Sequence, residues 1–190
     1  MTATTLDPRT ALVVIDLQQG IVTLPTVHPA AEIVGRGAEL AAAFRERGLP
    51  VVLVNVTGVA PGRTDGGPGG GASFPDGWTD LVAELDRQPG DITVSKQQWG
   101  AFYGTSLDLE LRRLGVTQIV LAGISTSIGV ESTARDAYEH GYHVTVATDA
   151  VTDTDADAHA RAVGTIFPRL GETGSTAEIL ALLPAPAAAV

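Results

Sequence analysis

Ala11-Leu12-Val13-Val14-Ile15-Asp16 is the stretch that decides the fold. Its five aliphatic residues show no polar alternation, so both faces of the segment must be covered, as in a buried parallel sheet. Further strands are expected outward at 51–56, 92–94, 118–122 and 142–147, with 171–174 as a short additional one. Segments with helical spacing lie between them: 30–47, stopped by Gly48 and Pro50; a short one at 78–85; 105–114; 129–140, stopped by Gly141; 155–167, ended by Pro168; and 175–183. Strand–helix alternation at this spacing builds βαβ units, and right-handed crossovers leave few topologies. The expected fold is therefore α/β, a three-layer α/β/α sandwich on a mainly parallel sheet, with residues 1–190 forming a single domain. The stretch 58–77 is so rich in Gly and Pro that no packed element is expected, only a flexible loop, either a surface connection or a lid. The Pro/Ala tail at 184–190 is expected to fray.

Composition narrows the function. The chain has 190 residues, 44% of them hydrophobic but only 5% aromatic, so the core is aliphatic and large enough to need no staples. A formal net charge of −10 argues against nucleic acid or an anionic membrane as partner, because both need clustered Lys and Arg. The absence of cysteine excludes disulfides, thiolate metal sites and cysteine catalysis. With no membrane-length apolar run and no visible signal peptide, a cytoplasmic protein is expected. The four histidines have no metal-ligand spacing, and the glycine run at 66–71 precedes no Lys-Ser/Thr, so neither a metal nor another cofactor is expected.

Ligands of open parallel sheets bind beyond the C-terminal ends of the strands. Asp16 ends the first strand, Asn55 lies near the end of the second, Lys96 follows the third, residues 123–129 follow the fourth and Asp149 follows the fifth. A carboxylate after an apolar run is partly desolvated, which raises its pKa, while a nearby lysine lowers it. Asp16 and Lys96 thus form either an acid–base pair or a structural ion pair. At 123–134 a strand runs through a loop into a helix, whose free N–H groups suit an anion, with Ser127 or Thr126 as a cap and Gly129 allowing close approach.

Three blocks resemble the isochorismatase-like hydrolases. Val14-Ile15-Asp16-Leu17-Gln18 is similar to their D-x-Q start. Lys96-Gln97-Gln98-Trp99-Gly100-Ala101-Phe102-Tyr103-Gly104-Thr105 is similar to their lysine block, and 123–137 to the block that holds their cysteine. The resemblance implies a Rossmann-like fold with a parallel six-stranded sheet, an Asp–Lys–Cys triad in most members, and a homodimer or homotetramer. Asp16 and Lys96 take the first two triad positions, and the nucleophile position falls on Gly129, which has no side chain to attack with. True isochorismatases, which cleave a vinyl ether, also tend to carry glycine there. Their dianionic substrate calls for an arginine near the pocket, and Arg63 is the candidate. The resemblance further implies substrate contacts from Gln18, Trp99, Phe102, Tyr103, Ser125 and Thr126, and a cis peptide at Ile124–Ser125.

The leading expectation is a cysteine-independent hydrolase of a small molecule that uses Asp16 and Lys96, with isochorismate-type vinyl-ether cleavage as its narrow form. A hydroxyl-dependent amide hydrolase and a non-catalytic metabolite-binding protein are the alternatives.

Overall fold

The computed structural model describes residues 3–65, 67–69, 71 and 73–185. The tail expectation at 186–190, and the loop expectation at 66, 70 and 72, lie outside the described residues. In chain order the elements are β1 (Thr10–Ile15), α1 (Gln19–Val22), α2 (Ala30–Glu46), β2 (Val51–Val56), β3 (Gly62–Thr64), β4 (Gly67–Gly69), β5 (Ile92–Lys96), α3 (Leu107–Arg113), β6 (Gln118–Ile124), α4 (Glu131–Glu139), β7 (His143–Thr152), α5 (Ala156–Arg161), α6 (Phe167–Leu170), β8 (Glu172–Gly174) and α7 (Thr176–Leu182).

Six strands form one sheet in the order β5-β2-β1-β6-β7-β8, and every neighbouring pair is parallel. The two-residue period of β1 feeds two cores. Ala11, Val13 and Ile15 face Leu107 and Leu111 of α3, Ala134 and Ala137 of α4, and Phe167 of α6. Leu12 and Val14 face Ile33, Leu40 and Phe44 of α2 and Ile179 of α7. The unbroken aliphatic run at 11–15 is explained by this double cover. Phe44 is fully buried. Truncation by Phe44→Ala should lower unfolding stability by about 3–5 kcal/mol in urea denaturation, from lost transfer energy and the cavity left behind.

Several sequence expectations need correction. Residues 78–85 form no continuous helix. Leu81 bridges to Gln18, the Val82 N–H donates to Leu17 O at 3.1 Å, and only Ala83–Leu85 make a single 3₁₀ turn before left-handed Asp86. The 58–77 stretch is not wholly without packed structure, since β3 and β4 pair as a short antiparallel ribbon. A Cβ on Gly69 would stand 2.4 Å from Ala60 O, so the ribbon closes only because that residue is glycine. β7 continues to Thr152 instead of stopping at Ala147, because a register shift opposite Leu121–Gly123 absorbs the polar Thr148 and Asp149. Pro168 does not end its helix. The five-residue π-type turn Ala162–Ile166 precedes it, and the chain stays helical to Leu170.

Candidate active site

The chain leaves central β1 toward β2 and β5 on one side and later returns to β6 on the other. The C-terminal ends of β1 and β6 therefore diverge, and a cleft opens between them. Its volume is about 630 Å³.

Asp16 stands where β1 stops. Its φ of +52° is left-handed, a conformation aspartate tolerates better than most residues. Its N–H donates to Val54 O at 2.9 Å, while its carbonyl accepts from the Gln18 N–H at 2.8 Å. The β ladder ends there and the carboxyl group turns onto the strand ends. Lys96 is the last residue of β5, separated from β1 by β2. Two strand spacings are roughly 10 Å, a gap that the four-carbon lysine stem helps to bridge. Its ammonium donates to Asp16 Oδ2 at 2.7 Å and to Gln98 O at 3.2 Å. Both residues are buried, with 5% of Asp16 and 2% of Lys96 exposed. Burial pushes the Asp16 carboxyl up to about 6, although the Lys96 charge and hydrogen bond pull it down. Asp16 Oδ1 is buried and has no hydrogen-bond partner among the described residues.

Gly129 forms the wall facing this pair. A Cβ there would come within 2.9 Å of Ile15 Cγ2 and 3.3 Å of Asp16 Oδ2. Gly129 lies in a π-type turn, Thr126–Val130, where the Val130 N–H donates to Ser125 O at 3.1 Å. A cis peptide joins Ile124 to Ser125 just before it. Buried Asp153 holds the turn from outside, accepting from the Ser127 N–H at 2.6 Å. The expected helix over 129–140 is thus divided into this turn and α4.

Of the residues expected at the site, Asp16, Lys96, Trp99, Ser125 and Gly129 line the cleft. The others are used elsewhere. The Gln18 amide is fully buried, accepts from the Val56 N–H at 2.7 Å and donates to Val56 O at 3.0 Å, so it stands in for a strand partner. Phe102 packs in the core against the His140 and Tyr142 rings. Tyr103 is 73% exposed and lies outside the cleft lining. The buried Thr126 hydroxyl is 2.9 Å from His159 Nδ1. Asn55 donates to Thr79 O, and Asp149 accepts from the Thr176 N–H, both away from the cleft. Arg63 is exposed on β3 and does not line the cleft, though its neighbours Gly62 and Thr64 do.

Sequence reasoning missed other lining residues. Phe74 and Trp78 stack with ring centroids 4.0 Å apart and wall the cleft with Ile21 and Val59. Their spacing of four residues beside a glycine-rich stretch was the available signal. Thr154 also lines the cleft, and reading β7 through to Thr152 would have placed it at the strand ends. Among the described residues no group of three or more His, Cys, Asp or Glu side chains converges as a metal site. Among the described residues no helix is long and apolar enough to cross a membrane.

Comparison with known proteins gives a consistent match. The isochorismatase domain family matches residues 10–178. The isochorismatase family protein YecD of Escherichia coli O157:H7 is 46% identical over 90% of this chain and 94% of its own. Maleamate amidohydrolase of Pseudomonas putida is 32% identical over 86% of this chain and 82% of its own. The solved structure of an isochorismatase family protein from Burkholderia thailandensis superposes with a TM-score of 0.90 at 47% identity, covering 94% of this chain and 97% of that one.

Proposed function

This chain belongs to the isochorismatase family and is a hydrolase, and from that premise we propose that it cleaves a small vinyl ether by acid catalysis, without a covalent enzyme intermediate. The observation that supports this most directly is Asp16 Oδ1, a buried carboxyl oxygen with no partner among the described residues, beside a glycine. Gly129 takes the position of the family's cysteine, so no side chain there attacks the substrate. The neighbouring oxygen Oδ2 is held by Lys96. A proton on the carboxyl group therefore resides on Oδ1, free to be given away.

The reaction balances with one water consumed. The Oδ1 proton goes to the terminal vinyl carbon, whose π electrons form the new C–H bond. The ether oxygen shares a lone pair with the adjacent carbon, giving an oxocarbenium ion. Water adds to that carbon and returns a proton to the Asp16 carboxylate. The resulting hemiketal breaks its bond to the leaving oxygen, which takes up the hydroxyl proton, and a carbonyl compound and an alcohol depart. Lys96 keeps the Asp16 pKa within reach of neutral pH. Without its charge, burial alone would hold the proton more tightly.

An acid must be protonated to act, and the Asp16 carboxyl is pushed up to about 6. Under this mechanism kcat/KM is flat below that value and falls about tenfold per pH unit above it. The measurement is release of pyruvate or methyl pyruvate from isochorismate or its dimethyl ester, followed across pH 5 to 9. Failure of both compounds to yield a carbonyl product, or a rate that rises through this range, would exclude the acid role.

A further inference from the structure

Deepening the reading just given, and resting on it for the reaction, we infer that the substrate enters the cleft uncharged, as a ring-sized vinyl ether with an apolar body and no free carboxylate. The cations of the chain carry the argument. It has 12 Lys and Arg side chains, and all of them fall within the described residues. Lys96, the single lysine, is the only one that lines the cleft, and it is bound to Asp16 Oδ2 and Gln98 O. Arg63 is the nearest alternative in sequence. Successive residues of a strand point to opposite faces, and Gly62 and Thr64 are the ones that turn to the cleft, so Arg63 lies on the other face of the β3–β4 ribbon.

While Asp16 is ionised, a substrate carboxylate would therefore find no free counter-charge among the groups that line the cleft. Much of the rest of the wall is apolar, including Ile21, Val59, Ile128 and the stacked Phe74–Trp78 pair, and its polar side chains are uncharged. Burying an unpaired carboxylate against such a wall is strongly unfavourable. The neutral amides of Gln97 and Gln98 and the hydroxyls of Thr64, Ser125 and Thr154 are side-chain groups of the lining that can hydrogen-bond a neutral carbonyl or hydroxyl. The cleft volume of about 630 Å³ lies in the range for a small organic ligand.

The Asp16–Lys96 pair adds a condition. While Asp16 is ionised the pair is neutral. Once Asp16 takes a proton, Lys96 is uncompensated and can accept one anion. An anionic ligand can thus enter only together with a proton, whereas a neutral ligand needs none. Among the described residues, Lys96 is the only other charged group that lines the cleft with Asp16. The turn at 126–130 contributes no titratable side chain, and the ribbon's Arg63 faces away.

Calorimetric titration of benzamide and benzoate into the wild-type protein tests this, since the two share a ring and differ in charge. Benzamide should bind with the same affinity at pH 6 and pH 8. Benzoate affinity should fall about tenfold per pH unit above the Asp16 titration, leaving benzamide at least about tenfold tighter at pH 8. Benzoate binding at pH 8 as tightly as benzamide would overturn the inference, and its loss in Arg63→Ala would then identify the ribbon arginine as the anchor. Absence of millimolar binding by both ligands would overturn it too. The reading on which it rests fails separately: benzamide preference without carbonyl release from either vinyl ether refutes acid hydrolysis and leaves the charge selection standing.

Discussion

Asp16→Asn is expected to lower kcat on a vinyl ether by about 10²–10⁴-fold, the range general acid catalysis supplies. Asparagine keeps the shape of the side chain and can still accept the Lys96 hydrogen bond now made by Oδ2 at 2.7 Å. It cannot donate an acidic proton from the position of Oδ1. Steady-state turnover beside a circular-dichroism melt separates loss of chemistry from loss of fold. The melt should remain cooperative at a lower midpoint, because asparagine fills the same space but leaves the buried Lys96 ammonium without its counter-charge. Wild-type turnover in a folded Asp16→Asn protein would remove Asp16 from the mechanism.

Gly123→Ala is expected to cost more than about 4 kcal/mol, or to prevent folding, a loss that requires a specific steric cause. Gly123 pairs with Ile15 between the two central strands, at a φ of +124°. A Cβ there would stand 2.0 Å from Ile15 O and 2.7 Å from its C and N atoms. These are backbone atoms of a buried strand, and no rotamer change can move them aside. Gly35→Ala is the matched control. Gly35 lies exposed in α2 with nothing within 4 Å of its would-be Cβ, and alanine should stabilise the helix by about 1 kcal/mol. Urea denaturation of both variants reads the contrast. A Gly123→Ala midpoint near wild type would refute the close packing of β1 on β6.

The sheet was legible because its central strands are covered on both faces, which leaves uninterrupted aliphatic runs at 11–15 and 119–122. Asp16 and Lys96 were legible for the related reason that a polar residue ending such a run must lie at the strand ends. The limits came where periodicity fails. β7 was cut short because its bulge places Thr148 and Asp149 inside a strand, which moved the expected rim from Thr154 back to Asp149. Gln18 was misplaced because its amide replaces a main-chain pairing, a role set by the distant Val56. In the irregular stretch after Lys96 nothing in the spacing distinguishes Trp99, which lines the cleft, from Phe102, which fills the core. The Phe74–Trp78 wall depends on a turn at 76–79 that brings the two rings together.

The burial of Lys96 has a chemical consequence outside catalysis. It is the chain's single lysine, so the molecule carries one ε-amine, and that amine is 2% exposed and held by a carboxylate. Reagents that acylate or alkylate amines usually scatter over a protein surface. Here their only side-chain target sits at the bottom of the cleft, so the extent of modification at that residue reports how often the strand ends open to solvent.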